Sequence, residues 1–402
     1  MVRRSVLAAV AFVAIVLGCV FVSTPASAVV DTAVVVPSPN AGNRDRLLSV
    51  SCVSASDCVA VGLTNTGSAS VTLAMVWDGT DWSIVSSPNP GPTATLSSVS
   101  CVSASECVAV GSTFTGSVYE TLVLSWNGTL WSVVPSPNVG TSNDHLSSVS
   151  CVSASECVAV GSTSTGVALE TLVLSWNGTL WSVVPSPNVG TNSDRLYSVS
   201  CASASDCVAV GSTATGSYVF KTLVMKWDGT VWTILPSPNN GIVDNFLESV
   251  SCVSASECVA VGYSGSGPAK ERLVMVWDGL VWSVASSPST GTGDNRLFSV
   301  TCLSASECIA VGYRIIGSAK ETLAMVWDGS VWSIVSTPNA GTIDDELLSV
   351  SCVSVSECVA VGYTDAGNNV NETLVMSLAG PEPAPTTTTT GASDPVTPAF
   401  TG

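Results

Sequence analysis

Fifteen cysteines stand in the 402-residue chain, and all but Cys19 fall into pairs with five residues between partners. The pairs are Cys52 and Cys58, Cys101 and Cys107, Cys151 and Cys157, Cys201 and Cys207, Cys252 and Cys258, Cys302 and Cys308, and Cys352 and Cys358. Paired thiols at one fixed spacing either cross-link or hold metal. Structural zinc prefers about two to four residues between cysteines and takes four ligands per ion. Seven local disulfides are therefore expected, each across a hairpin whose facing Cα atoms lie within about 4.5–5.5 Å. Disulfides in this number belong to an oxidising compartment. An acid precedes every second cysteine: Asp57, Glu106, Glu156, Asp206, Glu257, Glu307 and Glu357. Seven carboxylates around an axis would suit calcium, which takes several oxygens. The competing expectation has each cap its own turn beside serines such as Ser54 and Ser56. No cofactor beyond that ion is called for.

Catalysis finds little support. His145 is the only histidine, and it sits in the polar segment TSNDHL, read as a solvated loop. Paired carboxylates for glycoside hydrolysis stay open, because their separations are not readable in a sequence. A binding site is easier to see. Tyr263, Tyr313 and Tyr363 each follow a glycine directly, and Lys270, Arg272, Arg296, Arg314 and Lys320 gather in the same stretch. Aromatic faces with guanidinium groups stack sugars or seat an acidic group. The plainer alternative is that the tyrosines cover junctions between repeats while the cations keep loops soluble. Lys and Arg number 12 against 30 Asp and Glu, leaving a net charge of -18. Such a field repels phosphate and argues against nucleic acid or anionic membrane as partners.

These residues ride on a repeat. The segment SVSCVSASDCVAVG at 49–62 recurs nearly unchanged at a period of about 50 residues, the period of propeller blades rather than of shorter helical repeats. Each copy holds four short β-like runs, in the first copy 47–52, 58–62, 72–77 and 82–87. Asp-Gly or Asn-Gly separates the third run from the fourth, as tight hairpins favour. A two-residue turn at Asp78-Gly79 would set Trp77 opposite Thr80 and Met75 opposite Trp82, with both tryptophans on one face. Side chains grow from Ser, Val and Cys in the first run to Leu, Met and Trp in the third. Wedge-shaped blades need that order if the first run lies innermost.

Seven repeats are expected, near 47–90, 96–139, 146–189, 196–239, 247–290, 297–340 and 347–379. The seventh lacks a fourth run, and a spare one stands at the front, where VVVPSPN at 34–40 matches VVPSPN at 133–138. Pairing that strand, 33–39, beside the last run would complete the seventh blade and remove the open ends of a stack. A β-solenoid would have no reason to permute its ends. The expected fold is all-β: a seven-bladed β-propeller at 29–380, with four antiparallel strands per blade.

Residues 1–28 read as a signal peptide, with Arg3 and Arg4, an apolar run and Ala26-Ser27-Ala28 as cleavage site. Residues 16–19 loosely match a lipobox that would acylate Cys19. No other apolar run suits a spanning helix, so no transmembrane segment is expected after signal removal. Residues 381–402 read as a Pro/Thr-rich disordered tail, ending in a degenerate sorting-signal pattern at Pro398–Gly402. Sequons occur at Asn127, Asn177 and Asn371.

The repeats resemble those of secreted bacterial β-propellers with the pattern SCxSxxxCxAVG. They are similar to kelch repeats in the apolar strand ending at Gly62 and followed by Trp77, though without the double glycine. Asp78-Gly79-Thr80 with Trp82 resembles the Asp-box of sialidase-like propellers, lacking its residue between Asp and Gly. What the resemblance implies is a fold with structural turns. The chain is expected to be a monomeric, exported, noncatalytic binding or adhesion module, secreted or cell-surface associated, taking a glycan or extracellular protein on the loops of one face. The alternative is a glycan-active hydrolase or lyase on a sialidase-like or kelch-like propeller.

Overall fold

The computed structural model describes residues 32–379 apart from 68, 141, 191, 217–218, 268, 289–292 and 342. Within them lie 28 β-strands and no helix, sorted into seven four-stranded antiparallel sheets. The first blade takes Arg46–Ser54, Asp57–Asn65, Ser70–Trp77 and Trp82–Val85 in chain order, and five more blades repeat that order. The innermost strands adjoin one another round the ring, blade seven meeting blade one as the others meet their neighbours. The candidate leader at 1–28, Cys19 and the tail at 381–402 lie outside the described residues.

The inner strand reads Ser-Val-Ser-Cys for a reason that lies between blades. One side of this strand has no partner within its own sheet, and a buried N–H left unpaired costs about 1–3 kcal/mol. Serines of the preceding blade take up the slack. Val50 N donates to Ser349 Oγ at 3.1 Å and Val99 N to Ser49 Oγ at 3.1 Å, and the same bond recurs at all seven junctions. A second rung, Cys52 N to Ser351 Oγ at 3.0 Å, has counterparts at five further junctions. The strand also bulges, its register shifting between Leu47 and Ser49. That bulge presses on Gly62, where a Cβ would lie 1.9 Å from the Arg46 carbonyl oxygen.

All seven cysteine pairs are disulfides joining directly opposed residues of the innermost and second strands, with Cα atoms 4.0 Å apart. Closing so short a loop contributes about 2 kcal/mol each. Seven such bonds suit an oxidising, extracellular environment. Above the hairpin a third-strand tryptophan donates to a hairpin carbonyl, as Trp77 Nε1 does to Ala55 O at 3.0 Å. Six blades share this bond, and blade seven has Leu378 instead.

The turn between third and fourth strands corrects the expected register. Trp77 pairs with Trp82, Val76 with Ser83 and Met75 with Ile84, so the turn spans residues 78–81. The Asp78 side chain is the cause. Its Oδ1 accepts from Thr80 Oγ1 at 2.6 Å and from the Thr80 and Asp81 N–H groups at 2.9 Å. Those bonds, the Thr80 hydroxyl first, hold its carboxyl down at about 2. Asn127 makes the same set uncharged. The tryptophans still share a face, their ring centroids 5.7 Å apart.

Thr32–Val36 pairs with Val370–Ala379, Val35 facing Met376, and so supplies the fourth strand of blade seven. The residues behind it latch as in the other blades. Thr373 N donates to Asn40 Oδ1 and Thr373 Oγ1 meets Ser38 Oγ, both at 2.8 Å. Thr72 treats Asn89 and Ser87 the same way at 2.7 Å. The apolar core lies between sheets: Val59, Val61 and Ala74 of blade one pack on Leu96, Leu122 and Trp131 of blade two. Each sheet is apolar on both faces because each is covered by two neighbours, and a buried leucine here contributes about 2 kcal/mol.

Candidate binding face

The ring has two unlike ends. One carries the cysteine hairpins and the Asx turns; the other carries the connections from second to third strand and from each blade to the next. Among the described residues every base except Lys226 lies at the second, variable end.

The candidate tyrosines are not in loops. The second strands continue past the expected terminal glycine, to Ser264, Ile316 and Gly367 in blades five to seven. The ladder to the third strand simply runs on, Tyr263 opposite Arg272 and Tyr313 opposite Thr322. The site is thus strand-borne and fixed by pairing.

There the candidates form a ladder of cations over rings. The Arg296 guanidinium carbon lies 4.5 Å from the Tyr263 centroid and 5.9 Å from that of Tyr313. Lys270 Nζ stands 5.9 Å over Tyr263 and Lys320 Nζ 4.9 Å over Tyr313. Arg46, from blade one, covers Tyr363 of blade seven at 4.2 Å. Carboxylates hold the ladder: Asp294 accepts from Arg296 Nε and Nη2 at 3.0 and 2.8 Å and from the Tyr313 hydroxyl at 3.1 Å. Glu346 accepts from the Tyr363 hydroxyl at 2.7 Å and from Lys320 Nζ. Burial above all raises the three phenols, so they remain neutral donors.

This geometry corrects one expectation. Tyr313 and Tyr363 are 3% and 9% exposed, and their faces are already covered, so a sugar cannot stack on them directly. What meets solvent is the cations, with the side chains of Arg296 and Lys320 28% and 30% exposed. Arg272 and Arg314 have partners of their own. Arg314 Nη2 bonds Glu321 at 3.2 Å, Arg272 donates to the Pro288 carbonyl, and burial, then the Arg314 charge, lowers Arg272. Arg272 also occupies the place of the latch threonine, while Ser289 replaces the latch asparagine in the sequence.

Sequence reasoning overlooked Arg46, Asp294, Glu346 and Glu248. The signal was present: Arg46, His145, Arg195, Phe246, Arg296 and Glu346 share one place in the repeat, beside a nearly invariant Ser-Val-Ser-Cys. Glu248 is the bulge residue of blade five, where other blades carry Leu48, Ser97, Tyr197 or Phe298. Partly open at its surface, its carboxyl is still enclosed densely enough that burial pushes it up to about 7, against the pull of Arg296. Its charge in turn raises Tyr197 and Tyr263, after burial.

His145 is not in a loop either. It belongs to the strand Asp144–Ser153, its ring 5.0 Å from Tyr119, and burial lowers its pKa. Asp144 starts that strand early by accepting from Val139 N at 2.6 Å. The seven hairpin acids stay local: Asp57 accepts from Ser54 Oγ at 2.6 Å, and the other six take the matching serine at 3.2 or 3.3 Å. Among the described residues no three His, Cys, Asp or Glu side chains converge as a metal site. Asn127 and Asn177 are turn residues, and Asn371 is buried. No helix among the described residues is long and apolar enough to cross a membrane.

Fold and site together define a seven-bladed β-propeller with a polar, aromatic variable end. No family model matches the sequence, and no curated protein matches it. Among solved structures the chain is similar to YCF48 bound to a D1 peptide, with a TM-score of 0.53 and 14% identity over 88% of this chain and 97% of that one. YCF48 from Cyanidioschyzon merolae gives 0.54 and 14% over 86% and 98%. A polysaccharide lyase of family PL25, an ulvan lyase bound to [GlcA(1-4)Rha3S], gives 0.52 and 9% over 81% and 90%. At these identities the likeness is one of fold.

Proposed function

We propose that the chain is an exported, noncatalytic binding module that takes an acidic ligand, a glycan or an extracellular peptide, at the variable end. In this reading the leader 1–28 is removed, 29–380 form the propeller and 381–402 act as a spacer. The observation that carries it is the arc of partly exposed cations over tyrosines, running from blade five through blade seven into blade one. Arg296 and Lys320 are oriented by Asp294 and Glu346, and a guanidinium, with five N–H groups, keeps donors for a further acid. The similar folds of YCF48 and the ulvan lyase hold, in their own cases, a D1 peptide and an acidic saccharide. A screen of the secreted chain against acidic glycans and extracellular peptides tests the proposal, with saturable binding and no turnover expected.

Glu248 favours a second reading, a glycan-active lyase or hydrolase. It is a single-copy carboxyl held near neutrality beside Arg296 and two tyrosines, as a proton-transferring group requires. Turnover of an acidic polysaccharide, lost in Glu248→Gln with binding retained, would select this reading over the first.

A further inference from the structure

Lys226 is the one base at the cysteine end among the described residues. It belongs to blade four, yet its Nζ lies 5.8 Å from the centroid of Trp277 in blade five and donates to the Ala255 carbonyl at 3.2 Å. That carbonyl also accepts from Trp277 Nε1 at 3.2 Å, so both its lone pairs are used. The junction between blades four and five is thus plugged by the chain's own ammonium group.

Equivalent junctions hold the same surfaces without the plug. Between blades three and four, Ser175 stands where blade four has Lys226, and with Trp227, Ala204 and Glu156 it lines a cleft of about 410 Å³. Between blades two and three, Ser125, Trp176, Ala154 and Glu106 line one of about 150 Å³. The Ala204 and Ala154 carbonyls accept from their tryptophans at 3.2 and 3.1 Å, as Ala255 does. The second lone pair of each is the counterpart of the one Lys226 uses. An exposed acid, Glu156 or Glu106, stands at each mouth.

We propose that these clefts seat alkylammonium groups and that their occupant is a lysine-rich polypeptide. The aromatic face attracts the charge, the carbonyl takes an N–H, and the apolar wall of Val158 and Val184 accepts an aliphatic stem like that of Lys226. The end as a whole suits a polycation, since each hairpin presents an acid and Lys226 is the sole opposing charge among the described residues there. One exposed cation–π contact is weak, so affinity depends on filling several clefts at once.

Fluorescent pentalysine titrated into the full chain tests the proposal. Saturable binding is expected, weakened at least about tenfold by Ser125→Lys combined with Ser175→Lys, which plug both clefts from inside. Lys226→Ser, which opens another cleft, should strengthen it. Leu130→Lys with Leu180→Lys adds the same charge at exposed turn positions of the same end and should leave most of the affinity. Equal losses from the two lysine pairs would reduce the effect to net charge and overturn the site, as would the absence of saturable binding. Tighter binding of a chitosan oligosaccharide in competition with pentalysine would overturn the assignment to a polypeptide.

Discussion

The cysteine end and the variable end rest on the same seven sheets, yet they treat repetition in opposite ways. At the cysteine end each hairpin renews its disulfide and its serine–acid bond, and six renew a tryptophan–carbonyl bond. At the variable end one place in the repeat holds Arg46, His145, Phe246, Arg296 and Glu346 in different blades. Copies agree where closing the ring demands one geometry, and they diverge where the ring leaves a side chain free. Divergence within a single chain therefore marks where a specific ligand can be read, and uniformity marks what holds the ring or serves several like sites.

Removing a closure element should have the largest effect. Deleting residues 29–40 takes away the fourth strand of blade seven and the Asn40–Thr373 latch, so the inner ring is no longer locked. Thermal melting should lose cooperativity or fall by more than about 10 °C; an unchanged Tm would remove closure from the account. Smaller losses should follow the division between ends in urea unfolding. Cys201→Ala with Cys207→Ala should cost about 2 kcal/mol, and Ser148→Ala, which breaks the bond to Val199 N, about 1 kcal/mol. Thr95→Ala, at the place in blade two that Arg46 holds in blade one, should cost under about 0.5 kcal/mol. A cost for Thr95→Ala equal to that for Ser148→Ala would break the comparison.

Glu248→Gln should change stability modestly, in the opposite direction, and only over part of the pH range. Its carboxyl is raised from the ordinary 4.5 to about 7 in the fold, so the folded state prefers it protonated. Its ionisation opposes folding increasingly as pH rises from the unfolded pKa to the folded one, and fully above both. The variant should therefore melt about 2 °C higher than the parent above pH 7 and at the same temperature near pH 4. No gain at high pH would mean that this carboxyl is not strained by its surroundings.

Much of the fold was legible because its causes repeat along the chain. The period, the cysteine pairs and the unclaimed VVVPSPN strand lead to a closed seven-bladed ring without any three-dimensional information. The serine stitches between inner strands were not legible, because they join residues one full repeat apart and resemble ordinary strand serines. The tryptophan register slipped by two because an Asp78 side chain, rather than a backbone turn type, sets the hairpin. At the site, Tyr263, Tyr313, Arg296 and Lys320 do come together, while Arg314 pairs with Glu321. Counting positions after a glycine cannot reveal that Asp294 and Glu346 gather some cations, nor that a bend of the inner strand isolates Glu248.

The most direct test of a ligand site at the variable end is the affinity of the best acidic glycan or peptide from the screen for Arg46→Ala combined with Arg296→Ala. These changes strip two rungs from the ladder and leave the disulfides, stitches and latch intact. Calorimetric titration should show binding at least about tenfold weaker than in the parent, with a Tm within about 3 °C. Unchanged affinity in a folded double variant would contradict the account and place the ligand elsewhere on the ring.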